Sequence, residues 1–80
     1  MKSYSKKDLV DVFSKTFKII DSVAIENLEL NKIAKWDSLG HLRLILAIEK
    51  RFNIKISNDK ITKLISFRSL LDYLKNINAI

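Results

Sequence analysis

Ser38, flanked by Asp37 and Leu39, is the one place in this chain where residue types and spacing point to chemistry. The stretch Trp36-Asp37-Ser38-Leu39-Gly40-His41-Leu42 reads as an irregular segment turning into a helix, because apolar residues follow it at three- and four-residue steps as far as Phe52. A serine at such a joint has an exposed hydroxyl with unpaired backbone N–H groups close by. A phosphate attached to it would sit against the positive end of the helix. The hydroxyl is therefore a handle. One histidine and no cysteine leave no nucleophile–base pair and no metal set to assemble, so neither a catalytic residue nor a metal ligand is expected, and an independent enzyme is the reading the sequence favours least.

Each neighbour of Ser38 also has a plainer reading. Ser38 itself can be a helix cap, or Asp37 can be the cap with Ser38 as the first helical residue. Leu39 suits the core. Trp36 suits a loop anchor, with an aromatic platform beside the serine as the other reading. His41 lies three residues beyond Ser38 on about the same helix face, where it reads as solvent-facing or as a contact for a phosphate. Gly40 lowers helix propensity without visible compensation, which suggests close approach by an attached group or a partner.

The elements that must hold this joint follow from the periodicity. Ser5 and Asp8 form a capping-box-like pair with Tyr4 and Leu9 as a staple, and Leu9, Val12, Phe13, Phe17 and Ile20 then share one stripe of a helix over about 5–20. Residues 21–37 form a long connection that Ile25, Leu28, Leu30, Ile33 and Trp36 can pin down. The second helix, about 38–52, places Leu39, Leu42, Ile45, Leu46 and Phe52 toward the core, with Leu44 and Ile48 outside the narrowest stripe. Asn53 ends it, Ile54 and Ile56 alternate as an extended link, and Ser57 or Asn58 caps a short third helix over 58–64 with Ile61 and Leu64 inward. Ser66 caps the last helix, about 67–76, whose buried side is Phe67, Leu70, Leu71 and Leu74 and whose staple is Ile65 on Leu70. The fold class is all-α: one domain over 1–80, a small four-helix bundle with a long first loop and a short third helix.

Composition supports this scheme. No proline and one glycine suit helix throughout, and 48% hydrophobic residues with clear periodicity exclude a disordered tail despite a net charge of +6. Eighty residues bury roughly 60% of the unfolded chain's surface, leaving little room for an enclosed catalytic cleft. The absence of cysteine excludes a disulfide framework, and any thiol chemistry must come from an attached group. The longest apolar run, Leu44 to Ile48, is far short of the ~20 residues of a membrane span. Met1-Lys2-Ser3-Tyr4-Ser5-Lys6-Lys7 has no apolar segment of a signal peptide behind it, so a cytoplasmic location is expected.

Asp37-Ser38-Leu39, the amphipathic helix to Phe52 and the following Ile54-Lys55-Ile56-Ser57 resemble the acyl carrier protein family, and the resemblance runs without a gap from about Leu30 to Leu74. It implies a four-helix bundle with a long first loop. It also implies that Ser38 carries 4′-phosphopantetheine, donated by coenzyme A, on which an acyl or aminoacyl group is held as a thioester for partner enzymes. By the same resemblance Asp37 helps the phosphopantetheinyl transferase hold its magnesium ion beside the hydroxyl. Leu39, Arg43, Leu44 and Ile48 form the face on which acyl-loading and acyl-transfer enzymes dock. The implied protein is a non-catalytic monomer.

The chain departs from its apparent relatives in charge. Typical members are strongly acidic, whereas here the second helix carries Arg43, Lys50 and Arg51 against Glu49 alone. From Ser38 to the end there are eight Lys/Arg and three Asp/Glu. A carrier dedicated to one biosynthetic pathway fits this balance better than the general carrier of fatty acid synthesis. A pI near 9.7 also suggests a small basic helical domain that binds nucleic acid or another protein. Against nucleic acid, the basic residues are scattered over all helices, with no arginine-rich run and no glycine-bearing helix–turn–helix.

Overall fold

The computed structural model describes residues 4–80. Among them the regular structure is five helices, α1 (Lys6–Phe17), α2 (Ser22–Glu26), α3 (Ser38–Phe52), α4 (Asn58–Ile61) and α5 (Phe67–Asn76), with one isolated antiparallel bridge between Glu29 and Ser66. The all-α class and the long first loop match the reading of the sequence. Met1-Lys2-Ser3, part of the expectation about a leader, lies outside the described residues.

Helix α1 begins where expected: the Ser5 amide donates to Asp8 Oδ2 at 2.8 Å in a capping box. It ends earlier than Ile20. Lys18 takes the left-handed conformation as C-cap and the Ser14 hydroxyl donates to the Ile19 carbonyl at 2.6 Å, so Ile20 is left 96% exposed instead of joining the stripe. Tyr4 packs edge-on against Phe52, ring centroids 5.0 Å apart. The long connection contains one extra turn of helix, α2, because the Asp21 carboxylate accepts the amides of Val23 and Ala24 and Ile25 is fully buried. Its second half is tied to the start of α5, Leu30 N–H donating to the Ile65 carbonyl at 2.8 Å and Phe67 N–H to the Leu28 carbonyl at 3.0 Å.

The core gathers Leu9, Phe13 and Phe17 of α1, Trp36 of the loop, Leu44, Ile45, Ile48 and Phe52 of α3, and Phe67, Leu70 and Leu74 of α5. Leu71 is half-buried at its edge, and Ile65 is exposed at 43%. Aromatic rings dominate the centre: Phe13 meets Phe17, Trp36 and Phe67 in edge-to-face geometry at 5.1–5.9 Å.

The register of α3 differs from the expected one. Its inward stripe is His41, Leu44, Ile45, Ile48 and Phe52, while Leu39, Leu42 and Leu46 are 50–58% exposed. Leu44 and Ile48, expected on the partner-facing surface, are fully enclosed and cannot contact another protein there. Helix α4 closes at Ile61, three residues earlier than expected. Leu64 is still buried, held by its amide donating to the Lys60 carbonyl at 3.0 Å. Between α3 and α4, the Glu49 carboxylate accepts the Ile56 amide at 2.7 Å and so fixes the extended link.

Candidate functional site

Ser38 is the first residue of α3, and Asp37 is its N-cap: Asp37 Oδ1 accepts the Gly40 amide at 2.9 Å and the Asp37 carbonyl accepts the His41 amide at 2.8 Å. Of the two capping schemes left open by the sequence, the aspartate one holds. Ser38 is exposed, and its hydroxyl makes no hydrogen bond among the described residues. The earliest amides of a helix have no intrahelical acceptor, so the end of α3 at Ser38 carries the positive side of the helix dipole.

The joint is fixed from beneath by Trp36. Its ring is fully buried, stacked on Phe17 at 5.5 Å and on His41 at 6.0 Å, and its Nε1–H donates to His41 Nδ1 at 3.0 Å. An indole nitrogen only donates, so His41 Nδ1 accepts, the ring is neutral, and its Nε2–H donates to the Ile61 carbonyl at 2.9 Å. His41 is therefore a 7% exposed structural link between loop, α3 and α4, not the solvent-facing residue or phosphate contact that its place in the sequence suggests. The expected role of Trp36 as a loop anchor holds.

Gly40 is explained by the same joint. A Cβ there would collide with the Lys35 main-chain carbonyl, so the close approach comes from the chain's own loop. Lys35 in turn reaches back, its Nζ donating to the Phe17 carbonyl at 3.3 Å at the C-terminal end of α1. Between the end of α1, this loop and the start of α3 lies a cleft of about 340 Å³ that Asp37, Leu39, Gly40 and Arg43 line on the α3 side. Ser38 falls in sequence between two of its lining residues. A free hydroxyl, an open helix end and adjoining space fit a phosphate-linked group on Ser38.

The charges of α3 sort into two groups. Arg51 is clamped to α1, with Nη2 to Asp8 Oδ1 at 2.8 Å and Nη1 to Asp11 Oδ2 at 2.7 Å, and Lys15 reaches Asp11 at 3.1 Å. The Ser5 amide, then Arg51, lowers the Asp8 pKa; Arg51, then Lys15, lowers that of Asp11. Glu49 is occupied by the Ile56 amide. That leaves Arg43 and Lys50 as the exposed charges of α3 with no partner among the described residues, beside exposed Leu39, Leu42 and Leu46. Sequence reading missed Leu42 and Leu46 as surface and the clamp on Arg51. It also missed the cationic cleft, which Lys18 and Lys35 reach from distant positions.

The fold is thus an all-helical bundle whose second long helix, capped by Asp37, opens on an exposed serine. The chain is 37% identical over 59 residues to an acyl carrier protein of Campylobacter hominis, a match covering 74% of this chain and 67% of that one. It is 32% identical over 73 residues to an acyl carrier protein of Buchnera aphidicola subsp. Schizaphis graminum, covering 91% and 92%. No family model and no solved structure matches it. The chain belongs to the acyl carrier protein family.

Proposed function

We propose that Ser38 carries 4′-phosphopantetheine and that the chain uses it to hold an acyl or aminoacyl group and present it to partner enzymes. The observation that carries this reading is the exposed, unbonded Ser38 hydroxyl at the start of a helix already capped by Asp37. When bound, the group supplies a terminal thiol that forms a thioester, a chemistry the cysteine-free chain lacks. The chain's part is to hold the attachment oxygen in the open, at a helix end that favours a phosphate. The Asp37 carboxylate is exposed beside it and would share in holding the magnesium ion of a loading transferase.

The exposed surface of α3 supports a dedicated pathway. Apolar Leu39, Leu42 and Leu46 stand beside Arg43 and Lys50, with Glu49 and Arg51 both engaged inside the protein. Partners that dock there are acyl-loading and acyl-transfer enzymes with apolar, acid-rimmed surfaces.

Incubation with coenzyme A and a broad-specificity phosphopantetheinyl transferase, followed by intact-mass measurement, tests the attachment. The native chain gains about 340 Da, the mass of one phosphopantetheine group, and Ser38→Ala gains nothing while remaining helical. A gain that persists in Ser38→Ala removes the assignment.

A further inference from the structure

Three cations from three separate segments line the cleft beside Ser38: Lys18 just past α1, Lys35 in the loop, and Arg43 on α3. One carboxylate, Asp37, shares the lining, and its Oδ1 is turned into the helix to accept the Gly40 amide. Lys35 covers the negative end of α1 through the Phe17 carbonyl, keeping further N–H bonds to give. Lys18 and Arg43 have no partner among the described residues. The frame is rigid, because Lys35 adjoins the buried Trp36 and its carbonyl is pressed against Gly40. The cleft thus gathers three cations against one carboxylate, between residues that flank Ser38 on either side in the sequence.

We propose that this cleft is an anion seat for the phosphodiester that joins the prosthetic arm to Ser38, with Lys18, Lys35 and Arg43 supplying the charge. The inference rests on the reading of Ser38 given above. A phosphodiester keeps one negative charge at all working pH values, and a cleft with three cations draws it to the α1 side of the joint. The arm then leaves Ser38 over α1 and the loop, while Leu42 and Leu46 stay uncovered for a partner. Because these side chains are exposed, the attraction orients the arm without gripping it, and salt weakens it.

The experiment compares amide and arginine Nε–H NMR spectra of the unmodified and modified protein, each checked by intact mass. The proposal expects modification to shift the Lys18 and Lys35 amides and the Arg43 Nε–H as well as residues next to Ser38. Those distant shifts collapse at ~1 M salt, where the Debye length is ~3 Å. In Lys18→Gln with Arg43→Gln, which leaves the Lys35 bond to Phe17 intact, the distant shifts are lost while modification still goes to completion. Shifts confined to the neighbours of Ser38, or distant shifts that survive the double substitution, overturn the seat. Failure of the native chain to gain the arm's mass at all overturns instead the reading of Ser38.

Discussion

Trp36 Nε1–H donates to His41 Nδ1 at 3.0 Å, and this bond spans the residue proposed to carry the arm: one partner lies two residues before Ser38, the other three residues after. The loop and the first turn of α3 are fastened to each other from inside the core, so Ser38 is held on the outside of a closed bracket. His41→Ala leaves the Trp36 N–H and the Ile61 carbonyl unpaired, at a cost of about 1–3 kcal/mol for each buried group stranded. The thermal midpoint falls by roughly 4–8 °C for each kcal/mol lost in a domain of this size. His41→Phe keeps the ring and loses both bonds, and it falls as well. An unchanged midpoint in both variants would mean that the bracket carries no stability.

Gly40→Ala separates helix propensity from packing. In an open helix the change stabilises by ~1 kcal/mol, but here the added Cβ meets the Lys35 carbonyl, which is backbone and cannot swing away. We expect a lower thermal midpoint and shifted amide signals at Lys35 and Trp36. A higher midpoint would show that the loop yields without cost.

The Arg51 clamp gives an acid dependence of defined sign. Asp8 and Asp11 both have folded pKa values below their ordinary 3.8. Their contribution is therefore fully present above the ordinary value and is lost as pH falls through the depressed ones. The thermal midpoint of the native protein should drop as pH is taken below about 4. Arg51→Gln should flatten that drop mainly through Asp11, for which Arg51 is the leading cause; Asp8 retains the Ser5 amide, its own leading cause. Equal acid slopes in the two proteins would show that the clamp is not coupled to folding.

Partner choice is tested on Arg43 and Lys50 alone, since reversing Arg51 would break its bonds to α1. Once loaded, Arg43→Glu with Lys50→Glu should accept transfer from an enzyme that reads acidic carriers roughly tenfold faster at low salt, the gain lying in association rate. The comparison is of transfer rates at two ionic strengths. If the native protein already serves such an enzyme as well as an acidic carrier does, its basic helix does not select its partners.

Much of the frame was legible locally. The Ser5–Asp8 box, the Ser66 cap and the Asn53 stop each depend on residues a few positions apart, and all are present; the anchoring by Trp36 is present too, legible from its size and apolarity although its ring packs on Phe13 and Phe17 far back in the chain. The register of α3 was not, because the helix is apolar nearly all round and two stripes compete. The stripe that wins contains His41, which looks polar until Trp36 and the Ile61 carbonyl, twenty residues on, satisfy both ring nitrogens. Arg51 was misread for a similar reason, its acceptors lying 40 and 43 residues away. The short α2 was hidden by length: one turn, held by Asp21 and Ile25, leaves no periodicity to read.

The cap of α3 belongs to Asp37, while the hydroxyl of Ser38 makes no hydrogen bond among the described residues. Structural duty and chemical duty are thus divided between adjacent residues. Esterifying that oxygen removes no hydrogen bond from the helix, so the bare and the substituted chain can share one backbone. Whatever distinguishes them to a partner must then be carried by the substituent and the side chains around it.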